Sequence, residues 1–323
     1  MGNNVKNNKS RRLIKAIYTI ICLSIMLFQV YMCDSFAQPN LKNNFPNRTP
    51  YDFDGDQKAD LSLYNNGTWR ILFSSREREA SFTFGTAGDI PVPQFYLDPA
   101  VCNIAVWRPG DSFWYISGDY GNTYQSTQFG INTDRPVSMD YDNDQKADIA
   151  VFRNGAWFIL NSSNNTLTTK FWGTSGDIPV PGFYTLQGGL NLAVYRPTNG
   201  TWYLLKDGDV PAVYRFGAPG DRLVPEDYND DGITDLAVFR PSTGTWYIWE
   251  SNFDTYQTVS AYNFGLGTDI AVPADYDNIG GANIAVYRPS NQYWYILGSD
   301  FETLIGIQFG SPGDVPVPNT SYR

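Results

Sequence analysis

The chain has 323 residues, of which 42% are hydrophobic and 16% aromatic, and its formal net charge is -10. So many large apolar side chains exclude intrinsic disorder as a description of the whole chain. The sequence contains no histidine, which excludes Ser-His-Asp hydrolysis, Cys-His proteolysis and histidine-ligated zinc or haem. The excess of acid also disfavours a nucleic-acid partner, because phosphate binding depends on clustered Lys and Arg.

The N-terminal segment has the composition of a secretory signal. A basic segment precedes an uncharged stretch over residues 16–33, and Ser35 and Ala37 have the spacing that a signal peptidase reads. We predict a signal peptide over residues 1–37 and an N-terminal linker over residues 38–49. An uncleaved anchor is the alternative, since the uncharged stretch is close to the shortest that spans a bilayer. Either way the rest is exported, so the protein is predicted to be secreted or held at the cell surface, and cleavage leaves no membrane span in the mature chain.

Cysteine usage leaves no possibility of an intrachain disulfide after cleavage. Two of the three cysteines precede residue 38, so Cys102 is the single cysteine of the mature chain. A secreted domain of this kind needs another means of stabilisation. We predict that Cys102 is an inert thiol.

The rest of the chain repeats one unit six times. A Trp and a later Gly recur in register, and in five of the units the Gly directly follows a Phe. The positions are Trp69, Trp114, Trp157, Trp202, Trp246 and Trp294, with Gly85, Gly130, Gly173, Gly217, Gly265 and Gly310. A repeat of this length is typical of a propeller or a solenoid.

The third unit shows which of the two applies. Two apolar runs, IAVF and AWFIL, flank Asn154-Gly155, the dipeptide most typical of a two-residue hairpin turn. Asn66-Gly67 and Asn199-Gly200 repeat this signal in other units. A third run ends in Phe-Trp-Gly and a fourth reads DIPVP, and four short strands per repeat form one propeller blade. The sequence therefore predicts an all-β, six-bladed propeller of four-stranded blades over residues 50–323.

The DIPVP run is predicted to be the innermost strand. Pro179 and Pro181 are two residues apart, so the amides that they lack belong to one edge, as expected for an edge strand lining the central channel. Six copies occur, at residues 89–93, 134–138, 177–181, 221–225, 269–273 and 314–318. No unit follows the last copy, whereas the first unit lacks a good copy of its own. We therefore predict that residues 314–318 complete the first blade and close the ring.

Three units carry a nine-residue acidic loop after the inner strand, with oxygen side chains at positions 1, 3, 5 and 9. Alternating carboxylates in a tight turn aim several oxygens at one centre, and the carbonyl of position 7 can add another, which suits Ca²⁺. The predicted ligands of about three sites are Asp52, Asp54, Asp56, Lys58 and Asp60; Asp140, Asp142, Asp144, Lys146 and Asp148; and Asp227, Asn229, Asp231, Ile233 and Asp235. A solvated acidic turn without metal is the alternative, disfavoured by repulsion between the carboxylates.

The other three loops have lost predicted ligands. Phe95 and Phe183 replace the first ligand of the second and fourth units, and Asn103 and Asn191 replace the last. The sixth loop keeps Asp275 and Asp277 but has Ile279 and Asn283, and we predict that it binds no metal.

These loops, each followed by an apolar strand and a recurring Phe-Gly, resemble the FG-GAP or VCBS repeats of the integrin alpha-chain propeller and of many exported microbial proteins. The resemblance covers residues 50–323. It implies a propeller with calcium loops on one face and partner binding largely on the other, which here carries the Asn-Gly hairpins and the turns after each Phe-Gly. The chain has six units rather than seven and no integrin-type domains, so an integrin identity is not implied.

The leading functional hypothesis is a secreted, calcium-stabilised propeller that binds an extracellular glycan or protein as a monomer and catalyses no reaction. A polysaccharide lyase or hydrolase on a propeller scaffold is the first alternative, and a passive surface scaffold is the second. Acid-base catalysis needs a unique cluster of titratable residues. Most Asp residues here belong to the repeat and the few Glu residues are scattered, which disfavours an enzyme.

Other recurring residues are interpreted as structural. The Trp of each unit is predicted to pack between blades rather than stack on sugars, whereas Trp107, Trp172 and Trp249 break the repeat and are better ligand candidates. An Arg and an Asp recur in each unit and are predicted to form a clamp. The pairs are Arg108 with Asp89, Arg153 with Asp134, Arg196 with Asp177, Arg240 with Asp221 and Arg288 with Asp269. In the first blade, Asn65 stands where the others have Arg.

Overall fold

Twenty-four strands form six antiparallel four-stranded sheets in the part of the chain that the structure describes. The computed structural model describes residues 49–319 except 77, 123, 186–188 and 253–254. The predicted signal peptide and all of the linker but residue 49 lie outside these residues. Within the described ranges, no helix is long and apolar enough to cross a membrane.

Each blade begins at the channel with a two-residue inner strand, followed outward by three longer strands. The first contains β24 (Val315–Pro316), β1 (Leu61–Asn65), β2 (Thr68–Phe73) and β3 (Arg78–Thr83). The second contains β4 (Ile90–Pro91), β5 (Ile104–Arg108), β6 (Phe113–Ser117) and β7 (Gln125–Gln128); the third β8 (Arg135–Pro136), β9 (Ile149–Arg153), β10 (Ala156–Leu160) and β11 (Leu167–Phe171). The fourth contains β12 (Ile178–Pro179), β13 (Leu192–Arg196), β14 (Thr201–Lys206) and β15 (Val210–Arg215). The fifth contains β16 (Arg222–Leu223), β17 (Leu236–Arg240), β18 (Thr245–Asn252) and β19 (Thr255–Asn263); the sixth β20 (Ile270–Ala271), β21 (Ala285–Arg288), β22 (Tyr293–Leu297) and β23 (Leu304–Gln308).

Burial along the strands follows their place in the blade. In the second blade, β5 is buried over four consecutive residues, β6 alternates between half-buried and buried, and β7 is mostly exposed. A strand covered on both faces by neighbouring blades needs apolar side chains at consecutive positions. The all-β, six-bladed propeller predicted from the repeat is confirmed.

The hairpins between the second and third strands divide into two kinds. Asn66-Gly67 and Asn154-Gly155 are two-residue turns in which all four residues have positive φ, as a type I′ turn requires. The prediction for Asn199-Gly200 was wrong, because Arg196 pairs with Thr201 across a four-residue loop. Of the two residues only Gly200 has a positive φ, of 66°, whereas a type I′ turn requires positive φ at both central residues.

The recurring Trp and Gly are both explained by packing. All six Trp side chains are fully buried, and in five blades the indole N–H donates to the carbonyl of the residue before the Gly, as Trp69 does to Phe84 at 2.9 Å. The Gly has φ near 100°, and a Cβ on Gly173 would lie 3.0 Å from Val194 of the next blade. The predicted packing role of the Trp residues is confirmed.

Two contacts close the ring between the first and sixth blades. Strand β24 pairs antiparallel with β1, with Leu63 opposite Pro316 and Tyr64 opposite Val315, so the predicted closure by the C-terminal strand is confirmed. The Ala59 amide also donates to the Asp275 carbonyl at 2.7 Å. These contacts leave neither end of the repeat array as an open sheet edge.

The bond from Ala59 belongs to a series that runs around one face. In five blades the amide of loop position 8 donates to the carbonyl of loop position 1 in the preceding blade, at 2.7 to 2.9 Å. The donors are Ala59, Cys102, Ala147, Thr234 and Ala282, and the acceptors are Asp275, Asp52, Phe95, Phe183 and Asp227. Each acidic loop is thereby bonded to the loop beside it.

The Arg–Asp clamps form in five blades as predicted. Arg108 donates through Nε and Nη2 to the two carboxylate oxygens of Asp89 at 2.8 and 3.0 Å, and its guanidinium lies 4.5 Å from the centre of the Tyr115 ring. In the first blade the Arg occupies a different position. Arg70 stands where the other blades have the aromatic residue, and it lies 3.2 Å from Asp314. Asn65 stands where the other blades have the Arg, and its side-chain amide donates to the same carboxylate.

Candidate metal centres

The acidic loops of the third and fifth blades connect the inner strand to the second strand, and the first-blade loop likewise directly precedes β1. All three lie on one face, which we call the loop face. The hairpins between the second and third strands, and the turns after each recurring Gly, lie on the opposite face, which we call the hairpin face, because successive strands are antiparallel. Positions 4 and 6 of each acidic loop have positive φ, as Gly55 (81°) and Gln57 (71°) show in the first. Two left-handed residues in so short a loop turn the side chains of the flanking positions inward.

In the first loop, the carboxylates of Asp52, Asp54 and Asp60 come together, with one oxygen of each within 4.8 Å of the others. Asp60 is fully buried, and its two oxygens accept the amides of Phe53 at 2.8 Å and Ser74 at 2.7 Å. Asp54 Oδ1 is also buried, and it accepts no hydrogen bond from any residue that the structure describes. A buried carboxylate oxygen in that situation favours a cation beside it.

The third-blade loop repeats this arrangement. Asp140, Asp142 and Asp148 form the second group of carboxylates within 4.8 Å of one another. Asp148 is fully buried and accepts the amides of Tyr141 at 2.8 Å and Ser162 at 2.6 Å. Since Ser162 follows β10, the position 9 carboxylate also joins the loop to the far end of its own blade.

The position 5 carboxylates lie outside both groups. Asp56 accepts the Lys58 amide at 2.9 Å and the Ser74 hydroxyl at 2.8 Å, and Asp144 accepts the Lys146 amide at 2.8 Å. The structure therefore brings positions 1, 3 and 9 together and holds position 5 in local hydrogen bonds. The predicted roles of position 5 and of the position 7 carbonyls of Lys58, Lys146 and Ile233 remain predictions.

The fifth-blade loop differs because position 3 is Asn229. Its amide nitrogen donates to the Ser251 carbonyl at 2.9 Å, and its side-chain oxygen accepts the Asp231 amide at 3.1 Å. Asp235 is fully buried and keeps its two amide donors, Tyr228 and Ser251. Among the described residues, only the loops of the first and third blades bring three carboxylates together.

Burial makes the clustered carboxylates costly as anions in the absence of metal. Burial raises the pKa of Asp60 to about 7 against the lowering effect of the Ser74 and Phe53 amides, and it raises the pKa of Asp148 to about 6. In the fifth loop burial raises the pKa of Asp227 and of Asp235 to about 7. A bound cation would offset this cost by restoring the ionised form.

In two of the loops that lack predicted ligands, the Asn at position 9 hydrogen-bonds a nearby Asp. In the sixth blade the Asn283 amide nitrogen donates to Asp277 at 3.1 Å, and although burial acts to raise it, hydrogen bonds from Ser299 and Asn283 lower the pKa of Asp277. In the fourth blade Asn191 likewise donates to Asp207 at 3.1 Å. An amide at position 9 thus supplies the positive dipole that an Asp-lined loop needs from a cation.

The donors of the first and third loops are of one chemical kind. Every converging group is a carboxylate oxygen, the ligand type that hard divalent cations such as Ca²⁺ prefer. Asp52, Asp54 and Asp60, and Asp140, Asp142 and Asp148, therefore have the chemistry of hard-cation sites, and Ca²⁺ as the occupant stays a prediction.

The predicted ligand candidates among the irregular Trp residues are occupied in packing. Trp107 is 1% exposed, Trp172 donates its indole N–H to the Tyr203 carbonyl at 3.0 Å, and Trp249 packs against Tyr214 and Tyr256. Cys102 is buried, and burial raises the pKa of its thiol far above the ordinary range.

Comparison with known proteins defines the class by fold. No protein-family model matches the chain, and no curated protein matches its sequence. A lectin of Agrocybe aegerita that recognises non-reducing terminal N-acetylglucosamine is similar over 79% of this chain and 77% of its own, with 11% identity and a TM-score of 0.54. A streptogramin B lyase is similar over 78% of this chain and 83% of its own, with 11% identity and a TM-score of 0.50.

At that identity the likeness concerns the fold alone. Together with the closed ring of six sheets, it places the chain among the six-bladed β-propellers. The resemblance to FG-GAP and VCBS repeats stays a prediction.

Proposed function

We propose that the protein is an exported, calcium-stabilised β-propeller that binds a glycan or protein partner outside the cell and catalyses no reaction. The observation that carries the proposal is the contrast between loops. Two loops gather three carboxylates around one point, whereas in the fourth and sixth blades an Asn amide at loop position 9 donates a hydrogen bond to an Asp. Because the first kind of loop has no such amide at position 9, we infer that a cation compensates the charge of its carboxylates.

Asp52, Asp54 and Asp60 would hold one ion, and Asp140, Asp142 and Asp148 a second. The fifth loop, with Asn229 in place of a carboxylate, would hold a third more weakly. Bound Ca²⁺ supplies positive charge to buried carboxylates. The protein's own residues do the rest. Position 9 directly precedes the second strand, so an ordered loop fixes the start of that strand, and the bonds between neighbouring loops extend that order around the ring.

The absence of catalysis is supported by how the acidic residues are used. The clamp Asp residues of the hairpin face are paired with Arg, and the carboxylates that come together on the loop face belong to repeated acidic loops, so neither set is a unique acid-base cluster. The hairpin face instead repeats similar turns around a ring, which allows several weak contacts with one partner to act together.

Calorimetric titration with Ca²⁺ and thermal melts with and without EDTA test the metal. We expect two tight sites and a weaker third, and at a hundredfold excess over Kd a single ion stabilises the fold by about 2.7 kcal/mol. Asp142→Asn should remove one tight site and most of its share of the Tm increase. The matched control is Asp98→Asn, in the second-blade loop that lacks the position 1 ligand; equal effects of the two variants would count against the assignment.

The binding function is tested separately on a glycan array and by capture of surface proteins, each with and without EDTA. Retention of a defined glycan or protein by the intact propeller supports the proposal. Turnover of a retained polysaccharide would replace it with the enzyme alternative.

A further inference from the structure

The residues at the mouth of the central channel on the hairpin face are not equivalent from blade to blade. The first residue of each inner strand holds the same register opposite the second strand. Four blades place an aliphatic residue there and two place an arginine. The ring reads Ile90, Arg135, Ile178, Arg222, Ile270 and Val315. Two long cations therefore replace aliphatic side chains at the mouth.

Arg222 differs from the clamp arginines in having no carboxylate partner. Its side chain is exposed, and Nη1 donates to the Asp269 carbonyl at 2.7 Å. Over the described residues it forms no ion pair, whereas each clamp Arg holds an Asp at hydrogen-bond distance. The bond to a neutral carbonyl orients the guanidinium and leaves its charge uncompensated, with further N–H donors available.

Arg222 lines a cavity of about 450 Å³ that is bounded mainly by the fourth and fifth blades and is also lined by Ile270 of the sixth. The remaining wall is largely apolar, from Ile178, Pro197, Pro219 and Leu223. Asp221 also lines the cavity, but both of its oxygens are taken by Arg240, at 2.8 and 2.9 Å. The free charge of the cavity is therefore positive, in a chain whose net charge is -10.

We propose that this cavity binds the acidic sugar of an anionic glycan, with the carboxylate or sulfate on Arg222 and the ring against the apolar wall. The inference rests on the proposed binding function and adds the face, the cavity and the charge of the ligand. A cavity of this size holds one or two sugar rings, and sites of this kind combine apolar walls with few, well-placed polar groups. Arg is suited to planar oxyanions, which it binds with two N–H groups.

A peptide is the less suitable occupant on the fourth-blade side of the cavity. Val180 donates its amide to Ala193 of the second strand, so the channel edge of β12 belongs to Pro179 and Pro181, which have no N–H. An extended peptide that adds to a sheet edge needs such donors. In β16 the position of Pro179 is taken by Leu223, which keeps its N–H, and an acidic peptide is therefore included among the probes.

The test is calorimetry in Ca²⁺ with four probes: an oligogalacturonate, a sulfated galactan oligosaccharide, an uncharged galactan oligosaccharide of the same length, and an Asp-rich peptide. We expect one of the two acidic saccharides to bind, and which one does identifies carboxylate or sulfate. Arg222→Gln should weaken that binding about tenfold or more, as for loss of a charge-assisted hydrogen bond. Arg135→Gln, a matched change at the same register but outside the cavity wall, should weaken it less than about threefold.

The outcomes separate this site from the general function. Binding of the acidic saccharide that Arg222→Gln leaves intact overturns the site and keeps a binding module, as does preference for the uncharged oligosaccharide. Binding of the peptide that depends on Arg222 overturns the saccharide assignment. If no probe binds, the inference fails, while the array and capture experiments still test the binding function. Unchanged Tm of each variant in Ca²⁺ shows that a loss of binding is not a loss of fold.

Discussion

At the residue scale, the recurring glycine sets how closely two blades approach. Gly173 has a φ of 101°, and its missing Cβ leaves room for Val194 of the next blade. The Phe-Gly pattern in the sequence thus reflects two requirements at adjacent residues. The Phe carbonyl accepts the Trp N–H, and the Gly adopts a backbone conformation that no other residue adopts at low cost.

Three Gly→Ala variants separate backbone strain from steric clash. Gly173→Ala introduces both backbone strain and a steric clash. Gly176→Ala introduces strain alone, at a φ of 89° with open space around the Cβ, and Gly306→Ala on β23 introduces neither effect. We expect losses of about 3 kcal/mol or more, about 1 to 2 kcal/mol, and close to zero. Urea denaturation in Ca²⁺ measures them, and equal losses at Gly173 and Gly176 would show that the contact with Val194 is unimportant.

The first-blade clamp gives a second prediction at this scale. Asp314 is buried and depends on Arg70 and Asn65, so Arg70→Ala should cost about 2 to 3 kcal/mol by leaving a buried charge poorly compensated. The double variant Asn65→Arg with Arg70→Tyr recreates the arrangement of the other blades and should recover most of the loss. A double variant as unstable as Arg70→Ala would contradict the exchange of roles.

At the element scale, one two-residue strand decides whether the sheet array is closed. Strand β24 covers the inner edge of β1, and Val317 beyond it is fully buried in the same cluster as Phe53 and Trp69. The first blade therefore depends on residues about 250 positions away along the sequence. Forming such a contact in an unfolded chain has a high cost in loop-closure entropy. The other blades offset this cost because their packing places both ends of the chain side by side.

Deleting residues 311–323 should therefore destabilise the whole propeller rather than one blade. We expect a single melting transition at a clearly lower Tm, because the first blade loses its inner strand and Asp314. A synthetic peptide with the sequence of residues 309–319 should restore part of the Tm, and a scrambled peptide should not. A truncated protein that melts like the parent would refute closure by this strand.

At the scale of the whole molecule, charge is divided between the faces. The clamps pair the acids of the hairpin face with Arg, whereas the loop face gathers buried carboxylates whose pKa is raised. A folded-state pKa above the ordinary 3.8 means that folding favours the protonated form. Without metal, that contribution to stability is complete below about pH 4 and is lost as pH rises through about 7.

The stabilisation by Ca²⁺ should consequently depend on pH. Protons compete with the metal for the same carboxylates, so the Tm in Ca²⁺ minus the Tm in EDTA should grow from about pH 5 to pH 8. Taking the difference cancels titrating groups remote from the sites. A difference that is constant over this range would contradict metal binding by Asp60 and Asp148.

The sequence by itself determined the period, the blade and its strands, the inner position of the proline-containing strand, and the return of the last copy to the first blade. Each of these depends on a local pattern repeated six times, so register and spacing were sufficient. It also placed the acidic loops, where oxygen-bearing side chains alternate over nine residues.

Only the tertiary structure decided which oxygens meet. Asp56 accepts the Ser74 hydroxyl instead of joining the three-carboxylate group, Arg70 replaces a missing clamp arginine, and Asn283 hydrogen-bonds Asp277. The cationic cavity at Arg222 likewise exists only where neighbouring blades adjoin. Contacts of this kind join side chains that are distant in sequence or differ between repeats, and their geometry is set by packing that no single repeat contains.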